Sequence, residues 1–233
     1  MKKIRNLLIA VIAITSLITT STFAGSFGVG VSGNMASVSA SGTETSGDAA
    51  GAETENSVQK ATAGNQFGFG SIFAEYNFGD SERFTLGVDY IPGDADINST
   101  TLSRTDASGT YVGYTAQQSG TQKANASISD HVTYYAELGI VNGVYVKAGF
   151  AQVNIDVTQA TVTGYGKYDD KTLNAITYGL GYKGGFGNNG FFKVEGFVYD
   201  YDSYSDTSSS ANANKVTADL DVTGAKLAIG YKF

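Results

Sequence analysis

The chain has 233 residues, including 30 glycines, 15 tyrosines, 13 phenylalanines and one proline, with no cysteine or tryptophan and a net charge of −7. The acidic balance argues against a nucleic-acid partner, whose phosphates call for a basic surface. The lack of cysteine excludes structural disulfides and a lipid-bearing cysteine. Beyond the first residues no apolar run reaches about eighteen, so no helix is expected to cross a membrane. At the start, Lys2, Lys3 and Arg5 precede an apolar stretch over 7–18. Thr22-Phe23-Ala24 then offers small residues at −3 and −1 of a cleavage point, so 1–24 reads as a secretory leader and 25–233 as one domain.

Eight strands follow by strict alternation of apolar and polar residues. The first, over 26–40, puts Phe27, Val29 and Val31 on one face. The second (67–78) shows Ile72, Ala74, Tyr76 and Phe78, and the third (83–91) shows Phe84, Leu86, Val88 and Tyr90. The fourth (129–140) aligns Val132, Tyr134, Ala136 and Leu138, and the fifth (144–157) aligns Val144, Val146, Ala148 and Phe150. Ile176, Tyr178, Leu180 and Tyr182 share a face of the sixth (173–183), and Phe192, Val194 and Val198 of the seventh (191–201). The eighth (215–233) carries Ala225, Leu227, Ile229, Tyr231 and Phe233 on one parity.

Charges test those parities independently. Glu75, Arg83, Asp89, Glu137, Lys147, Lys183, Lys193, Glu195, Lys226 and Lys232 all lie on the opposite parity. A Lys or Arg facing lipid at mid-bilayer costs about 2–4 kcal/mol, so a greasy outside and charged inside fit a membrane barrel. A soluble barrel of lipocalin type would need the reverse, and it would place a tryptophan near its first strand.

The connections alternate in length. Gly79-Asp80-Ser81-Glu82, Val141-Asn142-Gly143 and 184–190 are short; 41–66, 93–128, 158–171 and 202–214 are long and polar. Asn-Gly is the strongest two-residue hairpin signal, because a type I′ turn needs positive φ twice. Short turns facing the periplasm and long loops facing outside give an all-β, eight-stranded antiparallel transmembrane β-barrel, an up-and-down meander with an even strand count. Residues 109–116 have strand character; they are expected to extend a hairpin above the membrane rather than to raise the count to ten.

With this pattern the chain resembles the small eight-stranded outer-membrane barrels, the OmpA/OmpX-like group. The likeness covers 25–233 and is sharpest at Lys226-Leu-Ala-Ile-Gly-Tyr-Lys-Phe233. That segment is similar to the signal read by the barrel-assembly machinery, with Lys226, Tyr231 and Phe233 at matching positions and Ala228 where glycine is usual. The resemblance implies a monomeric protein of a Gram-negative outer membrane, surrounded by lipid and lipopolysaccharide, with no cofactor.

Within such a barrel, Glu75, Glu137, Lys147, Lys193, Glu195 and Lys226 are expected to meet in a lumen only wide enough for its own side chains. Buried charges there need partners. Phe27, Phe78, Phe84, Tyr182, Phe192 and Phe233 are expected to form an aromatic girdle at the periplasmic rim. His131, the only histidine, adjoins Ser129 and Asp130, but neighbouring residues on a strand point to opposite faces and form no relay. Asp200, Asp202 and Asp206 lack the glycine and the bidentate Glu of a calcium loop and read as a solvated rim. The Asn98-Ser99-Thr100 sequon carries no weight in a bacterial barrel. The expected role is envelope integrity and loop display around a closed lumen. The alternatives are a channel for small solutes or apolar compounds and an adhesin acting through the long loops; enzymatic activity is not expected.

Overall fold

The computed structural model describes residues 25–45, 58–79, 82–97, 102–106, 120–160, 167–209 and 214–233. The leader, Asp80 and Ser81, the sequon and 109–116 lie outside the described residues.

The described residues form ten strands: β1 (Gly25–Thr45), β2 (Val58–Phe78), β3 (Phe84–Asp96), β4 (Leu102–Asp106), β5 (Gly120–Val141), β6 (Val144–Ala160), β7 (Lys171–Phe186), β8 (Gly190–Tyr201), β9 (Tyr204–Thr207) and β10 (Lys215–Lys232). Eight of them close a ring in the order β1-β2-β3-β5-β6-β7-β8-β10, with β10 returning to β1 along Gly28↔Lys232 to Thr45↔Lys215. Every ladder is antiparallel, so along the paired stretches the backbone polar groups find their partners on neighbouring strands without a helix. β4 extends the ladder on β5, and β9 the ladder on β10. Neither adds a stave to the ring.

The turns follow their residues. Asn142 and Gly143 both take positive φ, 47° and 82°, as a type I′ hairpin requires. Gly143 is also irreplaceable on contact grounds, since a Cβ there would meet the Lys183 carbonyl at 2.5 Å. At the 79–82 turn Glu82 N–H donates to the Gly79 carbonyl at 3.2 Å.

The strands run beyond the limits the alternation suggests. β1 continues to Thr45 and β2 begins at Val58, paired Thr45↔Val58, so most of the expected 41–66 loop is hairpin. β4 and the start of β5 likewise occupy parts of 93–128, and β9 part of 202–214. Ser, Thr, Gly and Ala hide these extensions, because a ladder needs no greasy face once it leaves the bilayer.

The chemistry of the two faces swaps part way up. On β6 the outward residues Val146, Ala148 and Phe150 give way to Gln152, Asn154 and Asp156, while inward Tyr145 and Lys147 give way to Ala151, Val153 and Ile155. On β10, outward Ile229, Leu227 and Ala225 yield to Thr223 and Asp221, and inward Lys226 to Val222 and Leu220. On these two strands side-chain direction does not change; only its polarity does. The lower part is therefore a belt of exposed apolar residues, with Leu227 65% exposed. The upper part is a polar-skinned barrel around a core that includes Val38, Val153, Ile155, Leu173, Phe197 and Val222. At about 3.4 Å per residue and a tilt of about 40°, the belt from Phe27 to Met35 rises roughly 20 Å, close to the height of a lipid-facing band. Val88 shares the outward parity yet is only 5% exposed, between Ala74 and Tyr134 in register.

The glycines have a matching task inside. Directly opposite in the ladders stand Gly30 and Phe73, Gly87 and Tyr135, Gly181 and Tyr145, Gly224 and Phe197, and Gly230 and Phe191. In each pair the aromatic ring occupies the space where the glycine's Cβ would stand. Rings laid over glycines fill a narrow lumen and cover the glycine backbone at once.

One seam is incomplete. β2 pairs with β3 only from Ile72↔Tyr90 down to Phe78↔Phe84. Above it, β3 bulges between Ile91 and Asp94, where Pro92 has no N–H to give and Gly93 takes φ 98°. The Asn65 side chain donates to the Asp96 carbonyl at 3.1 Å and bridges the two strands again. A window is left between those two ties.

Candidate functional site

The inward residues of β8 in ascending order are Phe191, Lys193, Glu195, Phe197, Tyr199 and Tyr201. They cross from a charged layer to an aromatic one, and every charged partner in the lower lumen meets this strand or its neighbours.

Lys193 is the hub. Its ammonium donates to both oxygens of Glu137, at 2.8 and 2.9 Å, and to Oε2 of Glu75. Lys183 donates to the other oxygen of Glu75 and to the Asn77 side-chain oxygen, both at 2.6 Å. Lys183 and Lys193 stand directly opposite on β7 and β8, a repulsive placement that Glu75, 0% exposed between them, neutralises. The Tyr135 hydroxyl adds a donor to Glu75 at 3.3 Å. One level up, Lys147 pairs with Glu195, which also accepts from the Tyr145 hydroxyl at 2.8 Å. Lys226 pairs with Asp89. Four ammonium groups (Lys147, Lys183, Lys193, Lys226) thus face four carboxylates (Glu75, Asp89, Glu137, Glu195), and the described lumen charges balance. Rings close the remaining space: Lys193 Nζ lies 5.5 Å from the Phe73 centroid and 5.6 Å from those of Tyr135 and Tyr145.

All six lumen charges expected from the sequence lie buried inside the ring, and five join one another in ion pairs. The sixth, Lys226, takes Asp89. Asp89 and Lys183 complete the balance, together with the donors Tyr135 and Tyr145; their inward parity was the available signal. Glu137 and Lys147 are opposite in register but do not pair with each other. Sequence adjacency of strands therefore misassigns the partners, which are chosen across the lumen.

Below the plug a vestibule of about 360 Å³ opens toward the short turns, lined by Glu82, Arg83, Glu137, Tyr145, Lys183, Phe191 and Lys232. Phe191, 0% exposed, forms part of its lining. At its mouth Lys232 pairs with Glu82 at 2.5 Å, and Ser26 donates to the same carboxylate at 2.8 Å. Burial pushes the Glu82 carboxyl up, but the Lys232 and Ser26 bonds outweigh it and hold the group below its ordinary value. Arg83 sits exposed at this rim and donates to the Gly139 carbonyl.

The six aromatics expected as a girdle gather at the short-turn end. Phe27 lies 6.3 Å from Phe233, Phe78 5.4 Å from Phe84, and Tyr182 6.0 Å from Phe192, centroid to centroid. Of the terminal-strand residues, Lys226 points inward to Asp89, whereas Tyr231 and Phe233 point outward with rings 5.2 Å apart. The Phe233 N–H donates to the Phe27 carbonyl at 2.8 Å.

His131 faces inward, whereas Ser129, in register with outward Asn154 across a bulge, does not. The Ser129 hydroxyl donates to Asp156, and Asp130, at φ 51°, accepts from Asn154 at 3.3 Å. The His131 ring meets Tyr199 edge-on at 4.9 Å. These three residues form no nucleophile–base hydrogen bond among themselves. Asp206 pairs with Lys171 at 3.0 Å, and Asp202 accepts from Asn174 at 3.4 Å, so these carboxylates are used in strand ties at the rim.

A closed antiparallel ring, greasy outside its lower half and charge-balanced within, defines an integral β-barrel of the bacterial outer membrane. No protein-family model matches the chain, and a search of curated proteins finds no match. Among solved structures it is similar to the outer membrane protein OprG from Pseudomonas aeruginosa, at 14% identity and TM-score 0.44, covering 91% of this chain and 97% of that one. It is similar to the outer membrane protein AlkL, determined in lipid bilayers, at 14% identity and TM-score 0.49, covering 92% and 93%. A third is Ail, the attachment invasion locus protein of Yersinia pestis, at 11% identity and TM-score 0.40, covering 88% and 98%.

Proposed function

We propose that the protein is a non-conducting outer-membrane barrel that contributes to envelope integrity and displays its polar upper barrel and long connections outside the cell. The observation that carries this reading is the hub at Lys193, which ties Glu75 on β2 and Glu137 on β5 to β8 and, with Phe73, Tyr135 and Phe191, fills the cross-section. An ion entering from the vestibule meets an ammonium whose carboxylate partners are already bound, in a space where breaking a buried pair is costly. No catalytic role is part of this reading. Outer-membrane lipid and lipopolysaccharide are its surroundings; the barrel-assembly machinery reads the segment ending in Tyr231 and Phe233; and the rings near Phe27, Phe192 and Phe233 hold the periplasmic interface.

The test is electrical. Purified barrel in planar bilayers is expected to give no discrete conductance steps, whereas truncating the hub by Lys193→Ala with Glu75→Ala and Glu137→Ala opens a path for small ions. Regular conductance from the unaltered protein would replace this reading with a solute channel.

A further inference from the structure

The vestibule beneath the plug presents its charges unevenly. Among the described residues Glu82, Arg83, Glu137, Lys183 and Lys232 are its charged lining. Glu137 is only 4% exposed, and both its oxygens accept from Lys193. A solute entering from the short-turn end therefore meets three cations, Arg83, Lys183 and Lys232, and one carboxylate, Glu82.

Those cations have donors to spare. The Lys183 ammonium is 16% exposed and spends two of its three N–H groups on Glu75 and Asn77. Glu75 is fully enclosed and forms no part of the lining, so the cavity meets the ammonium of that pair and not the carboxylate. Lys232 gives one N–H to Glu82. Arg83 forms no ion pair among the described residues, and its two bonds to the Gly139 carbonyl are long, at 3.4 Å. Acceptors are scarcer, because the two Glu82 oxygens already take Ser26 and Lys232.

Surplus donors and two uncompensated positive charges suit an oxyanion. A phosphate monoester carries about −1.5 to −2 charge at neutral pH and three strong acceptor oxygens, which matches that surplus. A single carboxylate would leave a positive charge over. Arginine's planar fork and the lysine ammonium are both suited to phosphate. Size agrees as well. A cavity of about 150 Å³ holds a benzene-sized ring, so the vestibule, at about 360 Å³, takes a phosphate group with a small organic body attached.

We infer that the vestibule is a binding site for a phosphate monoester arriving from the periplasmic side, its oxygens held by Arg83, Lys183 and Lys232. The site lies below the plug and stands whether or not the lumen conducts. A soluble ester and a lipid headgroup share this chemistry, and the test separates them.

The whole barrel, purified in octyl glucoside (a detergent without phosphate), is titrated calorimetrically with glycerol 3-phosphate. Saturable one-to-one binding is expected, with acetate at least about tenfold weaker. Arg83→Gln is expected to weaken glycerol 3-phosphate about tenfold. Gly185→Asp adds a carboxylate to the lining, where a Cβ meets only the Gly190 carbonyl at 3.8 Å, and is expected to weaken it at least as much. Both positions are exposed, so both variants are expected to keep their heat-modifiable mobility. Lys215→Gln, at the far end of β10, is the charge control and is expected to leave the affinity unchanged. Dihexanoyl phosphatidic acid offers the same headgroup on a lipid: tighter binding than glycerol 3-phosphate assigns the site to a lipid, weaker binding to a soluble ester. The absence of saturable binding, equal binding of acetate, an affinity indifferent to both vestibule variants, or its loss with Lys215→Gln would each overturn the site.

Discussion

Lys193 on β8 donates to both oxygens of Glu137 on β5, at 2.8 and 2.9 Å, although these strands share no ladder. A lumen tie of this kind braces the ring across its width, where backbone hydrogen bonds run only around its circumference. Lys193→Met leaves Glu137 without its ammonium and Glu75 with only Lys183. A loss of about 3–5 kcal/mol is expected, the cost of breaking a buried pair from one side. Urea unfolding in lipid vesicles measures it. Adding Glu75→Gln and Glu137→Gln recovers part of the loss; a single variant as stable as the parent would show that the tie is not structural.

Glycine–ring pairs make a second prediction. Gly87→Val and Gly181→Val put side chains where the Tyr135 and Tyr145 rings lie, and these rings carry the hydroxyls bound to Glu75 and Glu195. Overpacking of this sort costs about 1–3 kcal/mol, before any loss of those hydrogen bonds. Gly33→Ala is the control, since nothing lies within 4 Å of the Cβ it introduces. The same unfolding assay is expected to separate the two substitution classes clearly.

Where the bilayer ends can be read by charge. Val31→Arg and Leu227→Arg place a guanidinium in the exposed apolar belt and are expected to cost about 2–4 kcal/mol. Ser39→Arg and Thr223→Arg keep the same outward parity on the same two strands but lie above the polarity switch. They are expected to cost almost nothing. Equal penalties at all four sites would move the membrane boundary upward and dissolve the distinction between belt and upper barrel.

The Glu82–Lys232 clamp should show in the acid limb of stability. Glu82 titrates below its ordinary value in the folded chain. Its stabilising contribution is therefore complete above the unfolded carboxyl's pKa, about 4.3, and fades as pH falls through the lower folded value. Glu82→Gln removes it at neutral pH, by about 1 kcal/mol or less for a pair this exposed. Comparing both proteins between pH 7 and pH 3, the difference between them is expected to shrink as the solution becomes acid.

Much of the ring was legible without coordinates. Ile176, Tyr178, Leu180 and Tyr182 on one parity against Lys183 on the other fit a strand with lipid on one side and a polar lumen on the other. The Asn142-Gly143 turn followed from the positive φ its residues tolerate. The upper barrel was less legible for a physical reason. Above Met35 the sequence Ala36-Ser37-Val38-Ser39-Ala40 still alternates, but with its apolar residues on the other parity. A search for one continuous greasy face stops at the point where that face turns inward. β4 and β9, of five and four residues, are too short to show periodicity at all.

The sequence by itself determined which residues face lipid and which face inward, because alternation on a pleated strand is a local property and a charge in lipid is prohibitive. The alternation of short and long connections gave the even strand count, and residues that tolerate positive φ marked the Asn142-Gly143 turn. Only the tertiary structure decided that Lys226 answers Asp89 and Lys147 answers Glu195, that rings lie over glycines, and that the β2–β3 seam opens at Pro92. Those outcomes depend on the stagger of strands around a closed ring. It brings together side chains as far apart in the chain as Glu75 and Lys193, 118 positions, and no local pattern encodes that distance.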